Sequence, residues 1–453
     1  MSDDATVMHH PTERGPSDTR PSRRVPSRAL RTVPGGPAAA GFRPVAPKPP
    51  DGETLGGHTA RQVLRLCEAA GLNGADSAGY ARTLLSVLGP VGERPLDLPP
   101  PERSFLSDDH TPVEFSLSFT ADAEPTLRVL LEPGYGADSL VQNGRTGLRV
   151  VRDLARRWGF DTTRLDELED LFFPPDPEGP LALWCALELL PGGVPKVKVY
   201  LNPAASGRER AAATVREALH RLGHRQAFAS LPEGDRHLFF ALDLGEWEEP
   251  RVKVYLAHHD LSAPEAAGLS RVPGPSRAAD PSRAADGPDR TTGSGAVAES
   301  AAPADPAAEV RRFFGMAAGH DTDAGAFAAG DGPDPRLGRR PVQSCHAFTE
   351  TGTGRPSGFT LYVPVRDYAP HDGEALDRAV AVLGRHGMDP APLVRSLAAV
   401  TSRRLHEGVG LIAYLGLAHQ QGRPARVTAY ISSEAYRVKP PVTAPPVRIG
   451  TVG

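Results

Sequence analysis

The chain has 453 residues, of which 40% are hydrophobic, and a formal net charge of -4 at pH 7. That balance suits a soluble globular protein and excludes a nucleic-acid binder relying on an overall basic excess, so any anion site must be local. Cys67, Cys185 and Cys345 are too few and too far apart for a disulfide framework or a CxxC metal site, and no apolar run reaches the length of a membrane span; both points indicate a cytoplasmic protein.

In chain order, residues 1–50 mix Pro, Arg, Ser and Gly without an apolar period and are expected to be disordered. One domain is expected over 51–440, with a short tail at 441–453. Its first strand–turn–strand segment spans 112–133, and a helical period follows over 139–159, ending at Gly with Arg in the last turn. In EPGYGADS, Asp138 or Ser139 is placed to cap that helix; the string lacks the GK[ST] ending of a phosphate loop. Further strand–turn–strand segments occupy 181–203 and 236–260, separated by a helical period over 208–223. A low-complexity insertion, expected as a loop over about 261–308, carries the near-duplicates SRAAD at 276–280 and 282–286. Helical period resumes at 307–319, the Gly/Asp-rich run to about Arg340 is expected as loop, and a fourth segment covers 342–365. After a helix over 373–387, the fifth segment spans 410–436. Five hairpins alternating with helices predict an α+β fold: a ten-stranded antiparallel barrel inside a ring of helices, closed so that no sheet edge is exposed.

The side-chain pattern of these strands is inverted relative to an ordinary core. Aligning the second strand of each hairpin pairs Arg128 with Leu130, Lys198 with Tyr200, Lys253 with Tyr255, Thr360 with Tyr362 and Thr428 with Tyr430. One same-face position earlier stand Lys196, Arg251 and Arg426. The intervening residues are aliphatic, and a surrounding helix layer needs an apolar face to pack on, so cations and tyrosines must point inward. A barrel interior holding several Lys and Arg cannot be a dry core, because each unpaired buried charge costs several kcal/mol. It must be a solvent-filled lumen biased toward an anion. Lysine usage agrees: in a chain with only Lys48, Lys196, Lys198, Lys253 and Lys439, three of the five fall in these strands. Tyrosine adds a ring face that attracts cations and a hydroxyl that donates to anions.

At KVKVYLNP (196–203), RVKVYL (251–256), TLYVPVRDY (360–368) and RVTAYISSEAY (426–436), the chain resembles the dimethylallyltryptophan synthase family of aromatic prenyltransferases, over roughly 100–440. The resemblance implies repeated α-β-β-α units around an antiparallel barrel. It implies dimethylallyl pyrophosphate as co-substrate, no cofactor and no metal, and tryptophan or a related indole as acceptor. Glu114, following the Thr111–Pro112 step, resembles the family's glutamate that accepts a hydrogen bond from the indole N–H. By the same resemblance Arg128, Lys198, Arg251, Lys253 and Arg426 form a pyrophosphate cradle, and Tyr200, Tyr255, Tyr362, Tyr430 and Tyr436 a shield around the allyl cation. Thr360 stands where fungal relatives carry Gln. Leu190 stands near the lysine that in fungal C4-specific members is proposed to remove the arenium proton. A leucine cannot act as a base, so C5 or C6, with C6 first, is expected over C4; Glu188 shares a strand face with Leu190.

Asp166, Glu167, Glu169 and Asp170 lack a second acidic cluster and read as a solvated helix face rather than a Mg²⁺ site. His220 and His224 read as cations at a helix end, and His258, His259 and Asp260 as a rim loop. The expected partners are small molecules, with no nucleic acid or membrane, and the expected state is a monomer or weak homodimer. Cyclic dipeptides, tyrosine or other phenols stay open as acceptors, as does a non-catalytic barrel that only binds an anionic metabolite.

Overall fold

All five predicted hairpins form, as does each helix expected between them. The computed structural model describes residues 52–270, 305–320 and 336–442. The expected N-terminal tail at 1–50 and the SRAAD repeats lie outside the described residues. The strands are β1 (Val113–Thr120), β2 (Thr126–Leu131), β3 (Leu183–Leu189), β4 (Lys196–Leu201), β5 (Arg236–Leu244), β6 (Val252–His258), β7 (Leu261–Ser262), β8 (Arg336–Leu337), β9 (Val342–Phe348), β10 (Gly358–Val363), β11 (Ile412–Gln420) and β12 (Arg426–Ser432). Ten of them close a barrel in the order β1-β12-β11-β10-β9-β6-β5-β4-β3-β2, while β7 and β8 pair separately. Every pairing is antiparallel. Closure depends on β1, which pairs with β2 on one side and with the last strand, β12, on the other.

Alternation along each strand separates two environments. Phe115, Leu117 and Phe119 of β1, Val197, Val199 and Leu201 of β4, and Val252, Val254 and Leu256 of β6 all point outward and are buried under the helix ring. Burying each such side chain contributes roughly 1.5–3 kcal/mol, so the fold draws its stability from between barrel and helices and leaves the lumen free for polar groups. Helix Leu140–Trp158 illustrates the contact: Leu148, Val151 and Leu154 are buried, and the side chain of Ser139 accepts from the Gln142 amide at the start. Gly147 lets that helix lie close to β3, since a Cβ there would stand 3.2 Å from the Leu183 Cβ.

Two expectations are corrected. The insertion does not begin at Leu261: Leu261–Ser262 is strand and Ala263–Leu269 is helix, opened by a capping box between Ser262 and Glu265. At its far end the helix Pro306–Ala318 has already started. The loop expected up to Arg340 contains β8, which pairs with β7. Helices Leu55–Ala69 and Gly74–Leu88, which periodicity did not single out, complete the ring, and the Tyr80 hydroxyl ties the second to the barrel by donating to the Leu190 carbonyl at 2.5 Å. Among the described residues, no helix is long and apolar enough to cross a membrane, and all three cysteines are free and buried.

Candidate active site

The inward faces of the strands build the lumen in levels. Near the turns joining β5 to β6 and β11 to β12, a cavity of 640 Å³ is lined by Arg128, Lys196, Arg251, Lys253, Thr360 and Arg426 among others. Strand register explains the convergence: Arg128 lies opposite Glu188, Glu188 opposite Lys196, and Lys198 opposite Asp243. Only part of this charge is matched. Arg128 bonds Glu188 at 2.6 Å, and Asp243 serves both Arg251 at 2.7 Å and Lys198 at 3.3 Å. Among the described residues, neither Lys253 nor Arg426 has a carboxylate within ion-pairing distance, and Nε of Arg426 has no hydrogen-bond partner.

Electrostatics record the imbalance. Burial, reinforced by the neighbouring Lys198, pushes Lys253 well below the usual lysine range. Burial, with Arg128 and Arg251 nearby, also lowers Arg426. Glu188 runs the other way: burial opposes its ionisation, but Arg128 outweighs that and holds the carboxyl at about 2. The carboxylates thus stay charged, yet too few are present to neutralise the cations, and the site as built favours a multiply charged anion.

One same-face step along the strands, the lining becomes aromatic. Tyr200, Tyr255, Tyr362 and Tyr430 form a chain of ring contacts with centroid separations of 5.7, 5.9 and 5.7 Å. Phe239 packs edge-on against Tyr200 and Tyr255, and Trp184 lies 5.2 Å from Phe239. Gly416 provides the room, because a Cβ there would come 3.3 Å from the Tyr362 ring and 3.6 Å from that of Tyr430. Burial raises all four phenols, Tyr430 to about 12, so they remain neutral hydroxyl donors. Ser116 of β1 lies opposite both Arg128 and Tyr430, and Glu114 is its same-face neighbour on the strand, about 7 Å further along. Glu114 is only 2% exposed, its Oε1 has no hydrogen-bond partner among the described residues, and burial raises its carboxyl above the usual range. A buried carboxylate oxygen left unpaired is costly, and a ligand N–H reaching it would satisfy it.

The structure therefore gathers Glu114, Arg128, Lys198, Arg251, Lys253, Arg426, Thr360 and four of the five tyrosines on one inner surface. Tyr436 stands apart: it follows the end of β12 and packs with Leu55, Leu96, Tyr135 and Ala435. The chain leaves the barrel wall at Glu434, whose φ of 54 turns the backbone away. Sequence reasoning missed Asp243. Asp243 lies on the first strand of its hairpin, whereas the alignment compared only second strands; its register with Lys198 was the available signal. The acidic cluster set aside is held by arginines: Asp166 and Glu169 pair with Arg152, and Asp170 with Arg221. Among the described residues no His, Cys, Asp or Glu cluster could hold a metal ion.

A closed ten-stranded antiparallel barrel in a ring of helices, with cations at one level and tyrosines at the next, is the build of the aromatic prenyltransferases. The chain matches the family model described as tryptophan dimethylallyltransferase over residues 57–269. Prenyltransferase PriB, solved as a ternary complex with L-tryptophan and dimethylallyl thiolodiphosphate, is 55% identical, with 86% of this chain and 99% of that chain covered and a TM-score of 0.76. The 5-dimethylallyl tryptophan synthase from Streptomyces coelicolor, solved with DMASPP and Trp, is 57% identical over 88% of this chain and 100% of its own, with a TM-score of 0.74. The 6-dimethylallyltryptophan synthase from Micromonospora olivasterospora, also with DMASPP and Trp, is 38% identical over 86% and 100%, with a TM-score of 0.70. The chain belongs to the tryptophan dimethylallyltransferase family.

Proposed function

We propose that this enzyme transfers a dimethylallyl group from dimethylallyl diphosphate to C5 or C6 of the indole ring of L-tryptophan by electrophilic aromatic substitution. The observation that carries this reading is the order of the lumen: unmatched cations, then a tyrosine ring, then an unpartnered buried carboxylate oxygen. The similarity to synthases of both the C5 and the C6 type supports the choice of ring positions.

Each level has a step to perform. The allylic C–O bond breaks and its electron pair leaves with the diphosphate, whose growing charge is met by Arg128, Lys198, Arg251, Lys253 and Arg426. Five basic side chains take the electrostatic place a metal ion would otherwise hold. The allyl cation lies against the faces of Tyr200, Tyr255, Tyr362 and Tyr430, which stabilise positive charge and exclude water. Glu114 accepts a hydrogen bond from the indole N–H, orients the ring and stabilises the arenium ion as the new C–C bond forms. Loss of the ring proton restores aromaticity. Leu190 has no basic group, which agrees with attachment away from C4.

The test is the purified protein with dimethylallyl diphosphate, L-tryptophan and excess EDTA, followed by mass and NMR analysis of the product. A dimethylallyltryptophan substituted at C5 or C6 is expected. Binding of both ligands without product would leave only an anion-binding barrel, and preference for a cyclic dipeptide, tyrosine or another phenol in a substrate panel would reassign the acceptor.

A further inference from the structure

Trp247 is absent from every functional role given above, yet it touches more of the cation layer than any carboxylate does. It sits on the turn between β5 and β6, half-buried, and lines the same cavity as Arg128 and Lys253. Lys196 Nζ, Lys198 Nζ and Arg251 Cζ lie 5.2, 5.3 and 5.3 Å from its ring centroid. The ring cannot drift. Its Nε1–H donates to the carbonyls of both Val197 and Leu244 at 2.9 Å, pinning one edge to β4 and to the end of β5. Gly245, with φ of 87, provides the left-handed residue that this tight turn requires.

The turn is also held from the opposite side of the barrel mouth. Glu248 bonds Arg423 at 3.0 Å, and Gln420 Nε2 donates to Glu249 at 3.3 Å, so the β5–β6 turn is tied to the β11–β12 turn. Arg251 joins the same bridge, donating to Gln420 Oε1 at 3.0 Å. The indole is therefore fixed between three basic side chains that would otherwise repel one another.

We propose that Trp247 is a positioning residue for the donor diphosphate: its pinned indole ring holds Lys196, Lys198 and Arg251 together while adding no negative charge of its own. This inference rests on the reading of the cavity as the diphosphate site. A carboxylate in the same place would gather the cations equally well but would neutralise one of them and repel the incoming anion. An aromatic face attracts cations through its quadrupole and carries no net charge, and tryptophan is the strongest side chain for this purpose. Asp243 already uses one negative charge on Lys198 and Arg251. The ring lets Lys196, which has no carboxylate within ion-pairing distance among the described residues, join them, while the exposed Glu248 acts on it only through space.

The experiment measures inorganic pyrophosphate binding by calorimetry and by tryptophan fluorescence, together with KM for each substrate, in wild type, Trp247→Phe and Trp247→Leu. Wild type is expected to bind pyrophosphate with a change in emission, because the anion alters the field of the cations held over the Trp247 ring; the change should vanish in Trp247→Phe while binding persists. Trp247→Leu is expected to bind pyrophosphate about tenfold more weakly and to raise the donor KM in parallel, with the L-tryptophan KM unchanged; Trp247→Phe should lose about threefold. A merely structural role would lower thermal stability and move both KM values together. Should Trp247→Leu not fold, the graded loss and missing emission change in Trp247→Phe decide the matter. Variants that bind pyrophosphate as wild type does would overturn the inference and leave the proposed function standing. A wild type that binds no pyrophosphate would remove both.

Discussion

The two ends of the lumen are built from the same ten strands but solve opposite problems. At the mouth, Arg128, Lys253 and Arg426 line a cavity, and their charge exceeds that of Glu188 and Asp243. Towards the floor, Leu130, Trp184, Phe239 and Tyr255 pack into a cluster in which water has no place. The contrast teaches that a reaction generating an anion and a carbocation from one molecule is best served by two dielectric environments within a few ångströms. The mouth can stay wet and cationic, since the departing diphosphate is stable in water. The floor must be dry and rich in electron density, since the cation is not.

Removing the group beyond the floor should produce the largest effect. Glu114→Ala is expected to lower kcat at least a hundredfold, the scale associated with losing one oriented electrostatic contact to a developing charge, while pyrophosphate binding measured by calorimetry stays as in wild type. Equal activity in the variant would erase the proposed division of labour. At the mouth, Lys253→Met should raise the donor KM by about tenfold and leave the L-tryptophan KM in place. The same lysine gives the mouth a pH signature. Burial favours its neutral form, so the cationic form is lost as pH rises through a value below the usual lysine range. Donor affinity should therefore fall with rising pH before an ordinary lysine would lose its proton, and Lys253→Arg should flatten that fall because a guanidinium keeps its proton. A flat wild-type profile would argue that Lys253 is not the titrating partner. The smallest effect is expected at the boundary between the two ends: Gly416→Ala pushes a methyl against Tyr362 and Tyr430 and should cost about threefold in kcat while raising the share of dimethylallyl alcohol formed by water capture.

How much of this was legible beforehand depended on how regular the local geometry was. The five hairpins were readable because strand alternation is a hard geometric rule, and the inward face followed from asking which set of residues a helix layer could cover. Lys198, Lys253 and Arg426 were found this way. Tyr436 shows where the rule stops: alternation carries a side chain to the same face only while the strand lasts, and β12 ends at Ser432 with a left-handed residue two positions later. The strand and helix over Leu261–Leu269 were hidden for a different reason. Their Ser262, Pro264 and Glu265 form a recognisable helix start, but the low-complexity composition just beyond it dominated the reading. Asp243 and Trp247 were missed because their importance lies in cross-strand register and in a turn folding inward, which no single segment displays.

The pairing of β1 with β12 has a bearing on how the protein is made. Because the first barrel strand finds one of its neighbours only in the last hairpin, contacts must form between segments some 300 residues apart before the ring can shut. Such high contact order slows folding, and until the ring shuts β1 and β12, or β1 and β11 while β12 is still missing, present raw hydrogen-bonding rims to other chains. A ribosome that stalls before Arg426 would therefore release an aggregation-prone open sheet rather than a weaker enzyme, and overproduction should yield more soluble protein when translation is slow and cold.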